Sequence, residues 1–139
     1  SQSKPNRIVA DGLVGSTGVD ERSSVIMNYG HCASQFTCNF LANTENSFTI
    51  FGSNGHIRVP SMFWVGTQAC LGVHGEAEIV EDFPFRASGF EYQIEEVMRC
   101  VAAGKLQSEV MSWQESIETM QIMDEIRSQI GVRYPFLGE

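Results

Sequence analysis

The chain has 139 residues, of which 42% are hydrophobic and 19% are charged, and its formal net charge is -8. A chain of this length buries roughly two thirds of its unfolded surface, so it can form a core without disulfides or a metal. We expect neither a nucleic-acid nor a membrane partner, because the negative charge repels phosphates and anionic headgroups and no apolar run approaches the ~20 residues of a membrane span.

A period of two residues, typical of half-buried β-strands, dominates the chain from Arg7 to Val80. The pattern predicts strands at residues 7–14, 24–29, 32–40, 47–51, 56–59, 68–73 and 76–80. Gly30-His31 and His74-Gly75 are typical of tight turns between strands. Asn54-Gly55 predicts a hairpin, because both residues tolerate the positive φ angles of a type I′ turn.

The first predicted helix runs from Phe90 to Ala103, and Gly104 is expected to end it as a left-handed residue. Five apolar side chains fall on one narrow stripe of this helix and require a core to lie on. These residues are Phe90, Ile94, Val97, Met98 and Val101.

The second predicted helix begins near Trp113, after a capping box formed by Ser112 and Glu115. Its apolar face is broad, which suggests contact on two sides, with the sheet and with the first helix. Gly131 is expected to end it, and Pro135 to prevent a restart.

Strands followed by helices indicate an α+β fold. We expect a single domain over residues 1–139: an open, predominantly antiparallel (mixed) sheet of about six or seven strands, with the two C-terminal helices packed on one face. The other face stays open, and Phe51, Phe63 and Trp64 have no evident partner under two helices. Such a face is a common surface for dimerisation or for docking a second domain.

The cysteines and histidines do not show the spacings of a metal site, so no metal is expected. Cys32 and Cys38 lie in one predicted strand, some 20 Å apart at ~3.4 Å per residue, and therefore cannot pair. We interpret all four cysteines as reduced and expect a cytoplasmic protein, since no secretory signal pattern is visible. The glycines from Gly12 to Gly18 lack dinucleotide-binding spacing and precede an expected acidic turn, Val19–Arg22, so they do not predict a phosphate site.

Ordered motifs over nearly the whole chain resemble the C-terminal domain of the glucose-fructose oxidoreductase, inositol dehydrogenase and rhizopine-catabolism family (Gfo/Idh/MocA), and in particular its dihydrodiol dehydrogenase-like members. These motifs are Thr17–Asp20, Ile50–Pro60 followed by Phe63-Trp64, Gly89–Val97, Gly104–Met111 and Met123–Pro135.

The resemblance implies a two-domain oxidoreductase that uses NAD or NADP and acts on a sugar, polyol or diol. A Rossmann domain comes first in such proteins, and the second domain closes the substrate pocket and mediates homo-oligomerisation. The chain lacks a Gly-x-Gly-x-x-Gly unit, a Glu-Lys-Pro carrying the catalytic lysine and an Asp-x-x-x-His or Asp-x-x-x-Tyr helix. These parts would all lie upstream of Ser1.

No catalytic, cofactor-binding or metal-binding residue is therefore assigned, and we expect the chain alone to bind no nicotinamide cofactor and to be inactive. The candidates for a substrate-pocket wall are Trp64, Arg86 and Tyr92. Tyr92 lies opposite the apolar stripe of its helix and either packs under a neighbouring chain or forms the lip of a site. A free-standing α+β binding or dimerisation module remains the alternative, and the residues upstream of Ser1 would distinguish the two.

Overall fold

The computed structural model describes residues 4–134, so Pro135 lies outside the described residues. The elements are β1 (Arg7–Val14), β2 (Asp20–Asn28), β3 (Ala33–Asn39), β4 (Phe48–Gly52), β5 (Gly55–Val59), β6 (Gln68–Val73), β7 (Ile79–Asp82), α1 (Phe90–Ala102) and α2 (Trp113–Ile130). This order confirms the α+β class, the seven antiparallel strands and the C-terminal position of the helices. Neither helix in this part of the chain is long and apolar enough to cross a membrane.

The seven strands form two sheets rather than the single sheet that we expected. The first has the order β1-β2-β3 and the second has the order β4-β5-β6-β7. Strand periodicity identifies strands but not their partners, and no ladder joins β3 to β4 within residues 4–134. The chain is correspondingly divided into two compact units, of which the first combines the N-terminal strands with α2 and the second spans residues 44–106.

In the first unit, α2 packs on one face of the three-stranded sheet, mainly against β1. The core of this face is Val25, which is 1% exposed and lies between Ala10 and Phe36 in the register of the sheet. Gln35 and Thr37, the neighbours of Phe36 along β3, point to the opposite face because side chains alternate along a strand. Residues 33–38 of β3 are nevertheless all exposed, so burial does not show the alternation expected of a half-buried strand.

A side chain of α2 occupies the free edge of β1. The Gln129 amide accepts a hydrogen bond from the Ala10 backbone N–H at 2.8 Å and donates one to the Ile8 carbonyl at 3.1 Å. These two backbone groups would otherwise form part of an unpaired sheet edge, which is a template for unwanted strand addition. The Gln129 amide therefore takes the place of a neighbouring strand at this edge.

The ends of α2 agree with the sequence prediction. The Ser112 hydroxyl accepts from the Glu115 backbone N–H at 3.2 Å, and the Glu115 carboxylate accepts from the Ser112 N–H at 2.9 Å. This reciprocal pair satisfies two amides that have no partner within a helix. At the other end Gly131 adopts a φ of 85°, so a left-handed glycine follows the last helical residue.

In the second unit, the β4-β5 hairpin is present, but its predicted turn is wrong. Gly52 pairs with Gly55, so the two loop residues are Ser53 and Asn54, and neither has a positive φ. Gly55 belongs to the strand. A Cβ atom at Gly55 would lie 2.1 Å from the carbonyl oxygen of Gly72 on β6, so glycine is required there by the close approach of two backbones.

Helix α1 ends as predicted, since the Gly104 and Lys105 amides donate to the carbonyls of Val101 and Cys100 at 3.0 and 2.9 Å, in a Schellman arrangement. Its apolar stripe does not lie on a core, contrary to our expectation: Phe90 is 65% exposed and Val101 is 72% exposed. The residue of α1 that is buried is Cys100, at 7% exposure. The pattern correctly predicted an amphipathic helix, but it did not predict the exposure of the apolar stripe.

Two further expectations require correction. The segment Asp20–Arg22 is not a turn: it opens β2, because the turn lies earlier, where the Gly15 amide donates to the Val19 carbonyl at 2.8 Å. The last predicted strand is displaced from residues 76–80 to Ile79–Asp82, because the turn at Gly75 is followed by a longer connection.

All four cysteines are free thiols.

Candidate functional site

The first candidate, Trp64, lies in a one-turn 3₁₀ helix at Phe63–Val65 and belongs to a small aromatic cluster. The Trp64 ring contacts Phe63 edge-on at a centroid distance of 5.4 Å, and Phe63 lies 6.3 Å from Phe48. The expectation that Phe63 and Trp64 lack partners is therefore wrong, although Trp64 remains 58% exposed. Met62, just before this helix, has a φ of 60°, a strained conformation for a side chain of its size.

The other two candidates, Arg86 and Tyr92, are in direct contact. The Arg86 guanidinium lies 4.8 Å from the centre of the Tyr92 ring and donates to the Glu95 carboxylate at 2.6 Å. The hydrogen bond to Glu95, together with one to Tyr92, raises the pKa of Arg86, and the bond from Arg86 lowers the pKa of Glu95. The guanidinium is thus fixed on two sides, while 57% of the Arg86 side chain remains exposed.

The loop that carries Arg86 is anchored to the first turn of α1 by one carboxylate. The backbone N–H groups of Ala87, Ser88 and Gly89 donate to Glu91 at 2.9, 3.0 and 2.7 Å. Desolvation alone would raise the pKa of Glu91, but these amides and its own backbone N–H outweigh it and lower the pKa to about 2. A carboxylate at the positive end of the helix also interacts favourably with the helix dipole.

The depressed pKa of Glu91 predicts a pH dependence of stability. Because the folded-state pKa lies below the ordinary value of 4.5, the ionised carboxylate stabilises the fold fully above that value, and this contribution is lost as the pH falls toward about 2. We expect the urea midpoints of the parent chain and Glu91→Gln to differ by a constant amount near neutral pH and to converge in acid. A difference that is unchanged at the lowest pH would contradict the anchoring role.

The structure brings together two of the three candidates. Among the described residues, no ring contact or hydrogen bond joins Trp64 to Arg86 or Tyr92. Glu91 and Glu95, which hold this arrangement together, were not among the candidates that the sequence indicated. The signal that could have identified Glu91 is its position as an acidic residue in the first helical turn, directly after a short loop. This arrangement favours hydrogen bonds from loop amides to the carboxylate.

The arrangement around Arg86 suits recognition of neutral hydroxyl groups. An arginine carries five N–H donors in a fixed plane, and Glu95 and Tyr92 engage only some of them, so others are available to hydroxyl oxygens. The Tyr92 ring holds the guanidinium plane and adds an amphipathic surface beside it. These groups can bind and orient a polyhydroxylated molecule, but they include no base or nucleophile poised for chemistry.

The described residues do not form a recognisable site for a metal or a dinucleotide. No cluster of three or more His, Cys, Asp or Glu side chains is found within residues 4–134. The glycine-rich segment after Gly12 forms the hairpin between β1 and β2, and therefore does not lead into a helix N-terminus that could bind a pyrophosphate.

Several curated proteins are similar to this chain over almost all of its residues. The trans-1,2-dihydrobenzene-1,2-diol dehydrogenase of Danio rerio is 37% identical over 137 residues, which is 94% of this chain and 41% of the relative. The enzyme of the same name from Xenopus laevis is 33% identical over 138 residues, covering 95% of this chain and 42% of the relative. The chain thus spans about two fifths of the length of the curated relatives that it matches. No protein-family model matches it.

Solved structures share the fold at low sequence identity. An aldose-aldose oxidoreductase from Caulobacter crescentus matches with a TM-score of 0.75 at 12% identity, over 91% of this chain and 39% of that protein. A UDP-N-acetylglucosamine 3-dehydrogenase from Acidithiobacillus ferrooxidans matches with a TM-score of 0.70 at 14% identity, over 91% of this chain and 41% of that protein. Sequence relatives and fold together confirm that the chain resembles the C-terminal domain of the Gfo/Idh/MocA oxidoreductases, including dihydrodiol dehydrogenases.

Proposed function

We propose that this chain is the substrate-side domain of a two-domain oxidoreductase that uses NAD or NADP and acts on a sugar, polyol or diol. In the longer protein a Rossmann domain binds the cofactor and supplies the catalytic lysine. This chain provides a wall of the substrate pocket, with Trp64, Arg86 and Tyr92 as its candidate residues. The protein is cytoplasmic, and the chain alone binds no nicotinamide cofactor.

One observation carries the proposal: relatives named as diol dehydrogenases match 94% or more of this chain with about two fifths of their own length. A domain that occupies so constant a share of an enzyme is expected to serve the same role in it. The site adds chemical support, because an anchored guanidinium beside an aromatic ring suits hydroxyl-rich ligands. A solved structure with this fold was determined with glycerol bound, and glycerol is itself a polyol.

The role of Arg86 is tested in the longer protein by steady-state kinetics. We expect Arg86→Ala to raise the KM for a diol or sugar by about tenfold or more, because one charged hydrogen bond to the substrate is lost. The KM for the cofactor should not change. Arg58→Ala is the matched control, because the Arg58 side chain is 43% exposed and is also paired with a glutamate, Glu45, at 2.5 Å. Equal substrate KM values in the two variants would show that Arg86 does not contribute to the substrate pocket.

We further propose that the protein forms a homo-oligomer through its open sheet surface. In the second sheet, four aliphatic side chains lie in one row across all the strands, and each is 40–53% exposed: Ile50, Ile57, Leu71 and Ile79. Such an apolar row supports an interface. Sedimentation of the reduced, chelator-treated protein should show a dimer or larger species, and a monomer at tens of micromolar would contradict this.

A further inference from the structure

The loop before α1 and the first turn of that helix carry two features that attract anions in many proteins. The first is the Arg86 guanidinium, which lies 4.8 Å from the centre of the Tyr92 ring. The second is the run of backbone N–H groups at residues 87–89, at the positive end of the helix dipole. An arginine beside a helix N-terminus is a common binding site for a phosphate or a carboxylate.

A carboxylate of the chain itself occupies each of these features. Glu91 accepts from the loop amides at 2.9, 3.0 and 2.7 Å, and Glu95 accepts from Arg86 at 2.6 Å. Desolvation opposes ionisation of Glu91, but the backbone N–H groups lower its pKa to about 2, and the hydrogen bond from Arg86 lowers the pKa of Glu95. Both carboxylates are therefore ionised at neutral pH, and they lie close enough to repel each other, which offsets part of the lowering at Glu95. Two negative charges thus surround one positive charge, so the local field does not favour a further anion.

We infer that Glu95 is a specificity-determining residue, which makes the site accept uncharged hydroxyl groups beside Arg86 and reject substrates that carry a phosphate or a carboxylate there. The inference rests on the proposed function, because it takes Arg86 as part of the substrate pocket. An alcohol both accepts and donates a hydrogen bond, so it can accept from the guanidinium and donate to the Glu95 carboxylate at the same time. An ionised carboxylate or a phosphate dianion only accepts, and the charge of Glu95 repels it.

A purely structural role of Glu95 makes a different prediction, because its hydrogen bond and its charge can be separated by substitution. Glu95→Gln keeps an acceptor oxygen at the same distance from the helix backbone but removes the negative charge. Glu95→Asp keeps the charge and shortens the side chain. If Glu95 only holds Arg86 in place, Glu95→Gln will leave the choice between charged and uncharged ligands unchanged. If Glu95 determines specificity, this choice will change in Glu95→Gln and persist in Glu95→Asp.

The test is a titration of the present chain with glycerol and with glycerol 3-phosphate, two probes that share a carbon skeleton and differ in one phosphate. Binding is followed by the Nε–H signal of Arg86 in NMR spectra. The parent chain should bind glycerol more tightly than glycerol 3-phosphate. In Glu95→Gln the Kd for glycerol 3-phosphate should fall by about tenfold, because one negative charge a few ångströms from the anion is removed, and the Kd for glycerol should stay nearly constant. Glu45→Gln is the matched control, because Glu45 also pairs with an arginine, Arg58, and both Kd values should match those of the parent chain.

Three results would overturn the inference. The first is equal affinity of the parent chain for the two probes. The second is a preference that changes equally in Glu95→Gln and Glu95→Asp, or in neither, and the third is a chain that binds neither probe in any variant. The titration involves no turnover, so these results are independent of the proposed oxidation. That proposal fails on a different observation, namely a longer protein that oxidises no sugar, polyol or diol.

Discussion

Replacing Gly55 with alanine should destabilise the second unit by roughly 3 kcal/mol, because overpacking against a backbone atom leaves no flexible side chain to move. The new Cβ would meet the Gly72 carbonyl oxygen at 2.1 Å and the Val73 Cα at 3.0 Å. The contact can be relieved only if β5 separates from β6, which weakens the hydrogen-bonded ladder in the middle of the sheet. Urea unfolding followed by circular dichroism would measure the loss.

The matched control for this substitution is its cross-strand neighbour. Gly52 pairs with Gly55 across the hairpin, yet a Cβ at Gly52 would have its nearest neighbour at 3.7 Å, an ordinary van der Waals contact. Gly52→Ala should therefore leave the midpoint nearly unchanged or raise it slightly through reduced freedom of the unfolded chain. Equal losses in the two variants would indicate a general need for glycine in the hairpin and would contradict the close approach of β5 and β6.

The second large effect is expected at Ile126, on the side of α2 that packs on the first sheet. Ile126 is partly buried, so its truncation to alanine should cost about 2 to 3 kcal/mol through lost burial and a residual cavity. Ser112→Ala removes the helix cap and should cost about 1 kcal/mol. Ile117 is 52% exposed, and Ile117→Ala should cost less than either. Equal urea midpoints for the Ile126 and Ser112 variants would show that another face of α2 is buried.

The elements whose signals are local were predictable from the sequence. The range of β1 and the capping box of α2 agree with the prediction, because strand alternation and capping depend on residues within a few positions of each other. The type I′ turn at Asn54-Gly55 was wrong for the opposite reason. Gly55 is required by Gly72, which lies 17 positions away on another strand, and a turn signal cannot reveal that contact.

Sequence-based prediction was limited at the candidate site for the same physical reason. Tyr92 was correctly placed off the apolar stripe, but its contact with Arg86 depends on a loop that is folded back by Glu91, and periodicity contains no information on loops. The stripe itself was expected to lie on a core. Amphipathicity shows that a helix needs a partner, but it does not show whether that partner belongs to the same stretch of chain.

The most direct test of the proposed function is calorimetric titration of NADH and NADPH into the present chain and into the longer protein. The account predicts micromolar binding of one of the two cofactors by the longer protein and no detectable binding of either by the present chain. The described residues contain no Gly-x-Gly-x-x-Gly turn that leads from a strand into a helix N-terminus and could bind the pyrophosphate. Micromolar binding by the present chain, or no binding by the longer protein, would contradict the assignment of this chain as the cofactor-free half of a two-domain oxidoreductase.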